Sequence, residues 1–554
     1  MSKLDQTVVD EAAKLLSEAR RLLAYGDLDG VGSRPLLDGE GGVFPHFAIA
    51  ADGYRLTDST GQVYIDWVNG WGPVLLGYRH PGVEKAIIAQ LSAGPTMSMT
   101  HPLEVKLAEQ ITEMVPCAEM VAFAKNGSDS VTAAVRIARA STGRDVILHC
   151  GFHGFHDWNV CREPGVKGIL PGLKEHVDSF SYNDVKGLAS LFRKYKGRVA
   201  AVIMEPVNIW EPEKGFLEGV REITTANGAL LIFDEMITGF RLAIGGAQEL
   251  YGVTPDLTCL GRAMGNGMPL SAVCGQRSYM QLLPSCGFGM TFRGETLSLA
   301  AAAETLQVVR EENVVEHLAA IGESIRTGFH AICKDLEVRC QLSGPPARMT
   351  FVFHDQGNMT WNALRDLFVQ ECMKRKILIN GNLLPSFAHD DVAVQETLVA
   401  FRAAMGVVRL ALAGKDGTTP FPVGGLPMGP RALIANGYLD HVIESPTSLH
   451  VGGWLLLGDV VADRIEMIST TGIVVTAKRN SRPDLANAFP RCDQAENAGW
   501  NATLQARNFA DQTSYRFTIS VLRGDHRAFQ CVVNYRKGQE SPGPWPLNDG
   551  VLHV

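Results

Sequence analysis

The sequence predicts an α/β protein built on a mostly parallel sheet covered by helices on both faces, followed by a small all-β module. Three observations carry this. From Phe44 to about Ala413, short apolar runs alternate with longer amphipathic stretches, the pattern of strands joined through helices. The runs Asp145-Val-Ile-Leu-His, Ala200-Ala-Val-Ile-Met and Ala229-Leu-Leu-Ile-Phe are apolar nearly throughout, as strands buried on both sides must be. Beyond about Ser445 the pattern changes to strands separated by turns.

Taken in order, residues 1–43 read as a helix and a connector. The segment MSKLDQTVVDEAAKLLSEARRLLAYGD places Leu4, Val8, Leu15, Leu16, Leu22 and Leu23 near helical spacing, and its charges leave no apolar signal-peptide core. Gly30 to Gly42 is Gly-rich and without periodicity. Residues 44–430 form the α/β core, with Ser130–Ser141 and Gly219–Ala226 among its amphipathic stretches. Its tail, Lys415 to Arg431, is rich in Pro and Gly and reads as a linker. Residues 445–554 read as a β-sandwich-like accessory domain with strands at Leu449–Leu457, Asp463–Ile468, Gly472–Lys478, Tyr515–Leu522 and Ala528–Tyr535.

Composition narrows the function classes. With 51 basic and 59 acidic residues the net charge is −8, which argues against nucleic acid as the main partner. A 46% hydrophobic and 20% charged chain argues against disorder. No uncharged apolar run approaches the ~18–20 residues of a membrane span. The 11 cysteines are odd in number and contain no CxxC pair, which argues against a disulfide framework or a structural zinc site and for a reducing, cytoplasmic setting.

In an open α/β sheet, ligands collect at the carboxyl ends of the strands. There the sequence places Asp234-Glu235, Glu205-Pro206, Gly151-Phe-His-Gly154 and Gly261-Arg262. Lys125-Asn-Gly-Ser-Asp-Ser130 leads into a helix, so Gly127 and Ser128 offer donors to an anion at a helix N-terminus. A phosphate cradle, an aromatic platform at Phe152 and a carboxylate at Asp234 together suit pyridoxal phosphate, whose pyridinium nitrogen a carboxylate keeps protonated. Singly, each is ambiguous, since strand-end carboxylates and NGSD segments also serve as plain helix caps.

The core resembles a class III pyridoxal-phosphate-dependent aminotransferase of the glutamate-1-semialdehyde aminomutase-like group. The resemblance rests on WGPVLLGYRHP (71–81), FAKNGSDSVTAAVRIARASTGR (123–144), GFHGFHDW (151–158), MEP (204–206), IFDEMITGFR (232–241), PDLTCLGRAMGNGMPLSA (255–272) and TFRGETLSLAAA (291–302), in order over roughly residues 40–410. It implies a fold-type-I subunit, with a large domain of about residues 80–315 and a small domain from the flanking segments. It also implies a homodimer with shared active sites, acting on a small-molecule amino donor and carbonyl acceptor. Carried onto this sequence, Gly127 and Ser128 would bind the cofactor phosphate, Phe152 would stack on its ring with His153 beside it, and Asp234 would hold the ring nitrogen. Met236 would pack on the other ring face, Glu205 would sit near the phenolic side, and Thr291 would reach the phosphate from the neighbouring subunit. Trp71 reads either as a substrate-pocket wall or as a core aromatic.

One position departs from the family. Arg262, in GRAMGNG, stands where the resemblance calls for the Schiff-base lysine. A guanidinium stays protonated and offers no nucleophilic nitrogen, so it replaces that lysine neither as nucleophile nor as proton shuttle. Impaired turnover and non-covalent pyridoxal or pyridoxamine phosphate are therefore expected. The chain is then either an enzyme whose lysine was deliberately replaced or a natural pseudoenzyme that keeps the pocket. Lys125 and Lys415 are not at the required strand end.

Competing readings are weaker. His149, His153, His156 and Asp157 have ligand-like spacing, but they lie on a strand end and loop rather than on a helix, so no metal is expected. GRAMGNG lacks the GxGxxG order, and no GxxxxGK[ST] occurs. Arg34 lies where the aminomutases present a carboxylate-binding arginine, but GSRPLL departs from their motif, so transamination is expected ahead of a 2,1-aminomutase reaction. The last module, with GGW (452–454), SRPDLANAFP (481–490) and GW (499–500), resembles small β-rich domains appended to biosynthetic enzymes.

Overall fold

The computed structural model of the chain describes residues 6–24, 47–163, 166–357 and 359–413 and, beyond residue 434, the strands named below. These fall into two compact units, one ending near Ala413 and the other formed by the later strands. The Gly30–Gly42 connector with Arg34, and the Lys415–Arg431 linker, lie outside the described residues.

At the centre of the first unit is a seven-stranded sheet in the order Met120–Ala124, Ser271–Gly275, Leu257–Leu260, Leu230–Asp234, Val199–Met204, Val146–Cys150, Val177–Ser179. Ser271–Gly275 runs antiparallel to both of its neighbours, and the other pairings are parallel. Five of these strands are buried at every residue, which explains their unbroken apolar text. The expected helices run from Gly127 to Thr142 and from Phe216 to Ala226. The first turns Val131, Ala134, Val135 and Ala138 inward, and the second buries Phe216, Leu217 and Val220. The N-terminal amphipathic stretch is the helix Gln6–Leu22. No helix among the described residues is long and apolar enough to cross a membrane.

A smaller lobe of the same unit is built from both ends of the core. Ala48–Asp52, Arg55–Asp58 and Val63–Asp66 form a sheet with Ile377–Leu378, which joins in parallel from more than 300 residues away. Phe329, Phe351, Phe368 and Phe401 fill its interior with ring centroids 5.1–5.6 Å apart, in tilted and edge-on pairs.

The second unit contains two five-stranded sheets. One follows the order Ala435–Glu444, Ser448–Leu457, Gly499–Gln505, Lys478–Asn480, with Val460–Val461 beside Ser448–Leu457. The other follows Val474–Thr476, Arg464–Ser469, Ser514–Arg523, His526–Arg536, Val551–His553, and only its last pair is parallel. The strands read from sequence recur here, with Gly472–Lys478 shortened to Val474–Thr476. SRPDLANAFP lies outside the described residues.

Where the smaller lobe meets the approach to the large sheet, Trp67 is fully buried, stacked on His389 at 4.0 Å, and donates its indole N–H to Thr397 Oγ1 at 2.9 Å. His389 Nδ1 faces the Ser386 amide and hydroxyl at 3.1 and 2.8 Å. Burial pushes the imidazole down from 6.5 to about 3, with His317 adding to this and Asp390 opposing it. A depressed folded-state value means the unfolded chain takes up the proton first. The stability from neutral His389 is therefore complete above pH ~6.5 and is lost as pH falls toward 3. Denaturant midpoints measured across pH 3–7 should fall with acid by at most about 1.4 kcal/mol per pH unit from this group, and less steeply in His389→Phe. Equal slopes in both proteins would contradict this.

Candidate active site

Because the strands ending at Ala124, Cys150, Met204, Asp234 and Leu260 all point the same way, the residues after them share one edge of the sheet. After Ala124, Asn126 caps the Gly127–Thr142 helix, its Oδ1 accepting from the Asp129 amide at 3.1 Å. The Gly127 and Ser128 amides have no acceptor among the described residues, as befits a first helical turn. Ser128 Oγ accepts the Phe155 amide at 3.2 Å. Gly154, with φ 95°, lets the 151–155 loop cross directly over Ser128, where a Cβ would collide with that hydroxyl.

After Cys150, Phe152 projects a ring that is 61% exposed, while His153 next to it is buried. His153 Nδ1 lies 2.8 Å from Asp234 Oδ2, and its Nε2 lies 3.2 Å from the Cys150 carbonyl. Asp234, also buried, accepts the Met236 amide on Oδ1 at 3.1 Å. Each of its oxygens retains a lone pair for a further donor. Met236 Sδ lies close against Gly127 and Gly261, where added Cβ atoms would stand 3.1 and 2.6 Å from it. It thereby joins the phosphate-type turn to the turn that carries Arg262.

Glu205 follows Met204, and burial raises its carboxyl above the ordinary range, opposed chiefly by Arg348. Arg348 Nη2 lies 3.2 Å from Glu205 Oε2, while its Nη1 donates to the Val207 and Asn208 carbonyls at 2.7 and 2.6 Å. Glu235, beside Asp234, has a different part. Its carboxylate is fully buried and takes the Ala247 and Gln248 amides, so it fastens the following helix rather than facing the cleft.

Arg262 opens the short 3-10 turn after Leu260. Its side chain is reached by solvent yet walled by protein, and burial lowers its pKa while Asp234 and Glu205 pull it back up. Nη1 donates to the Trp71 carbonyl at 2.7 Å. The next carbonyl, of Gly72, accepts from Arg241 Nη2 at 2.9 Å. Arg241 is completely buried, bonds only carbonyls, leaves Nε without a partner, and is pushed down to about 9 by burial, with Arg348 and Arg262 adding to it. Residues Asn69, Gly70, Trp71 and Gly72 all have left-handed backbones, with φ of 50, 62, 69 and 102°. Such strain persists only where the surroundings impose it. Here Asp66 Oδ1 takes the Val68 and Asn69 amides at 2.7 and 3.1 Å, Asn69 Nδ2 binds the Leu384 carbonyl at 2.6 Å, and the two arginines hold the far side.

Gly127, Ser128, Asp234, Met236, Glu205, Phe152, His153 and Arg262 are thus on one cleft edge, and Trp71, 39% exposed, is joined to it through its carbonyl. Thr291 is exposed and makes no hydrogen bond to these residues. Lys125 is occupied by Glu295 at 2.9 Å, Ser298 and the Pro269 carbonyl. The histidines of the 149–156 segment diverge, His149 to the Gly151 carbonyl and His156 to Thr132. No group of three or more His, Cys, Asp or Glu suited to a metal occurs among the described residues. Sequence reading passed over Arg348, Arg241 and the 69–72 turn. Arg241 stood inside a quoted motif and the clustered Asn69-Gly-Trp-Gly72 hinted at a strained turn, but nothing local marked Arg348.

Comparison with known proteins shows the family. Residues 38–375 match the family model for class-III aminotransferases. The chain is 32% identical to a 3-aminobutyryl-CoA aminotransferase of Cloacimonas acidaminovorans, over 72% of this chain and 97% of that protein. It is 34% identical to a glutamate-1-semialdehyde 2,1-aminomutase of Roseiflexus castenholzii, with the same coverage. Among solved structures, the FumI protein of Sphingopyxis sp. MTA144, in a pyridoxal-phosphate form, superposes with a TM-score of 0.69 at 32% identity, covering 74% of this chain and 99% of that one. An omega-transaminase from Sphaerobacter thermophilus gives 0.65 at 28% identity, covering 72% and 98%. By sequence and by fold, the chain belongs to the class-III aminotransferase family.

Proposed function

We propose that this chain holds pyridoxal or pyridoxamine phosphate without a covalent bond, in an aminotransferase site whose turnover on a small amino or carbonyl compound Arg262 impairs. The observation that carries the reading is Arg262 itself, just after the Leu257–Leu260 strand end and within electrostatic reach of Asp234 and Glu205. The residues present fit the cofactor. Gly127 and Ser128 offer free amides to its phosphate, Asp234 keeps lone pairs for its ring nitrogen with His153 fixing the carboxylate, and the exposed Phe152 ring gives it a face. When bound, the cofactor supplies a carbonyl that takes up amines and a ring that withdraws their electrons.

What this chain's residues do follows from their protons. A lysine at 262 would present a nitrogen able to shed its proton, attack that carbonyl and then carry a proton at the substrate carbon. Arg262 keeps its protons and spends one on the Trp71 carbonyl. Lys125 is committed to Glu295 and Ser298, which supports the reading that no other lysine substitutes. Borohydride reduction of the loaded protein, followed by peptide mass analysis, should find no lysine peptide carrying cofactor mass, and one such peptide would contradict the reading. Arg262→Lys should gain that peptide at position 262 and raise steady turnover with an amino donor and a 2-oxo acceptor by about 100-fold or more.

The same reading includes a homodimer in a reducing cytoplasm. Ile88 and Leu91 on the Pro81–Ala93 helix, and Met97, Met99, Val105 and Phe292, are large apolar side chains left exposed in a single chain. Thr291 adjoins Phe292 on that exposed text, where a second copy would bring it to the first copy's phosphate turn. Of the nine free cysteines among the described residues, seven are buried, which supports a reducing setting. Light scattering should give twice the 60.1 kDa chain mass, and Ile88→Asp with Leu91→Asp should reduce it toward one chain. A monomeric unsubstituted protein would contradict the dimer.

A further inference from the structure

The charges of the cleft do not pair off evenly. Asp234 is hydrogen-bonded to His153, and Glu205 is ion-paired with Arg348. Arg241 is sealed inside among carbonyls. That leaves Arg262, which forms no ion pair among the described residues and uses a single Nη1 donor, on a neutral carbonyl. Its Nε and Nη2 donors have no hydrogen-bond partner among the described residues, and the residue as a whole is exposed. The three guanidinium groups are close enough that each of Arg348 and Arg262 destabilises the charge on Arg241. A planar guanidinium that is held at one nitrogen and keeps free donors on its other side is the arrangement that takes a carboxylate through two parallel N–H donors.

We infer that Arg262 is a receptor for the carboxylate of a small 2-oxo or amino acid, which this chain binds non-covalently next to Trp71. The inference rests on the reading that Arg262 forms no covalent link to the cofactor. It goes further in giving the residue a task of its own, recognition in place of nucleophilic attack. Trp71 reports on it. Its carbonyl anchors Arg262 and its indole is 39% exposed, so a carboxylate that draws the fork changes the indole's surroundings.

The test titrates the cofactor-loaded full chain with 2-oxoglutarate, with dimethyl 2-oxoglutarate and with inorganic phosphate, by calorimetry and by tryptophan fluorescence. The free acid should bind, and the neutral ester should bind at least about tenfold more weakly. Arg262→Gln should lose about tenfold or more in affinity for the acid, and Trp71→Phe should lose the fluorescence change. Because eight tryptophans contribute to the signal, the Trp71→Phe difference is what assigns it. Ester and acid binding equally, a folded Arg262→Gln protein binding the acid undiminished, or phosphate displacing the acid at equal concentration would each overturn the inference. Cofactor absorbance on the same samples separates the two readings. Acid binding absent with cofactor retained overturns this inference alone, whereas a chain that retains no cofactor overturns both.

Discussion

Everything in the cleft depends on the shared direction of the parallel strands. Strands Val146–Cys150, Val199–Met204, Leu230–Asp234 and Leu257–Leu260 are hydrogen-bonded side by side and point one way, so residues from four distant parts of the chain arrive on one edge. Ser271–Gly275 runs the other way and begins at this same edge, where Ser271 Oγ binds the Asn126 carbonyl at 2.7 Å and ties the helix-capping turn to the sheet. Burying these strands on both faces removes the freedom to slip. A one-residue shift would turn every neighbouring side chain over and scatter the cluster.

On that frame, the electrostatics divide into matched and unmatched groups. A buried carboxylate is costly unless it is paired or hydrogen-bonded; Glu205 has the guanidinium of Arg348, and Asp234 has the His153 ring and the Met236 amide. Arg241 is buried with only carbonyls as hydrogen-bond partners among the described residues. Its cost is offset by what it holds, since together with Arg262 it grips consecutive carbonyls of a turn that no relaxed chain would adopt. That turn carries Trp71 to the mouth of the site. Arg262 thus belongs to two systems at once, the ionic set of the cleft and the scaffold of the strained turn.

The parts legible in the sequence were those written locally. Unbroken apolar runs gave the central strands, and the residues that follow each run gave Glu205, Asp234, Gly151–Gly154 and Arg262. NGSD before an amphipathic stretch gave the cap and its amides. What was hidden depends on partners remote in sequence. Arg348 meets Glu205 143 residues away, and Arg241 meets Gly72 169 residues away. Glu235 shows the converse. Its strand-end position resembles that of Asp234, and only the amides of Ala247 and Gln248 reveal that it is a fastening. Strand ends name candidates, and burial with specific partners then sorts them.

We propose that Arg262, a permanently protonated fork, stands where the family's covalent attachment needs a nitrogen that can lose its proton. The visible absorption spectrum of the loaded protein, recorded from acid to alkaline pH beside that of Arg262→Lys, tests it most directly. The account predicts the spectrum of a free, non-covalently held cofactor in the original chain and a distinct lysine-linked band in the variant. The same lysine-linked band in both proteins would contradict it.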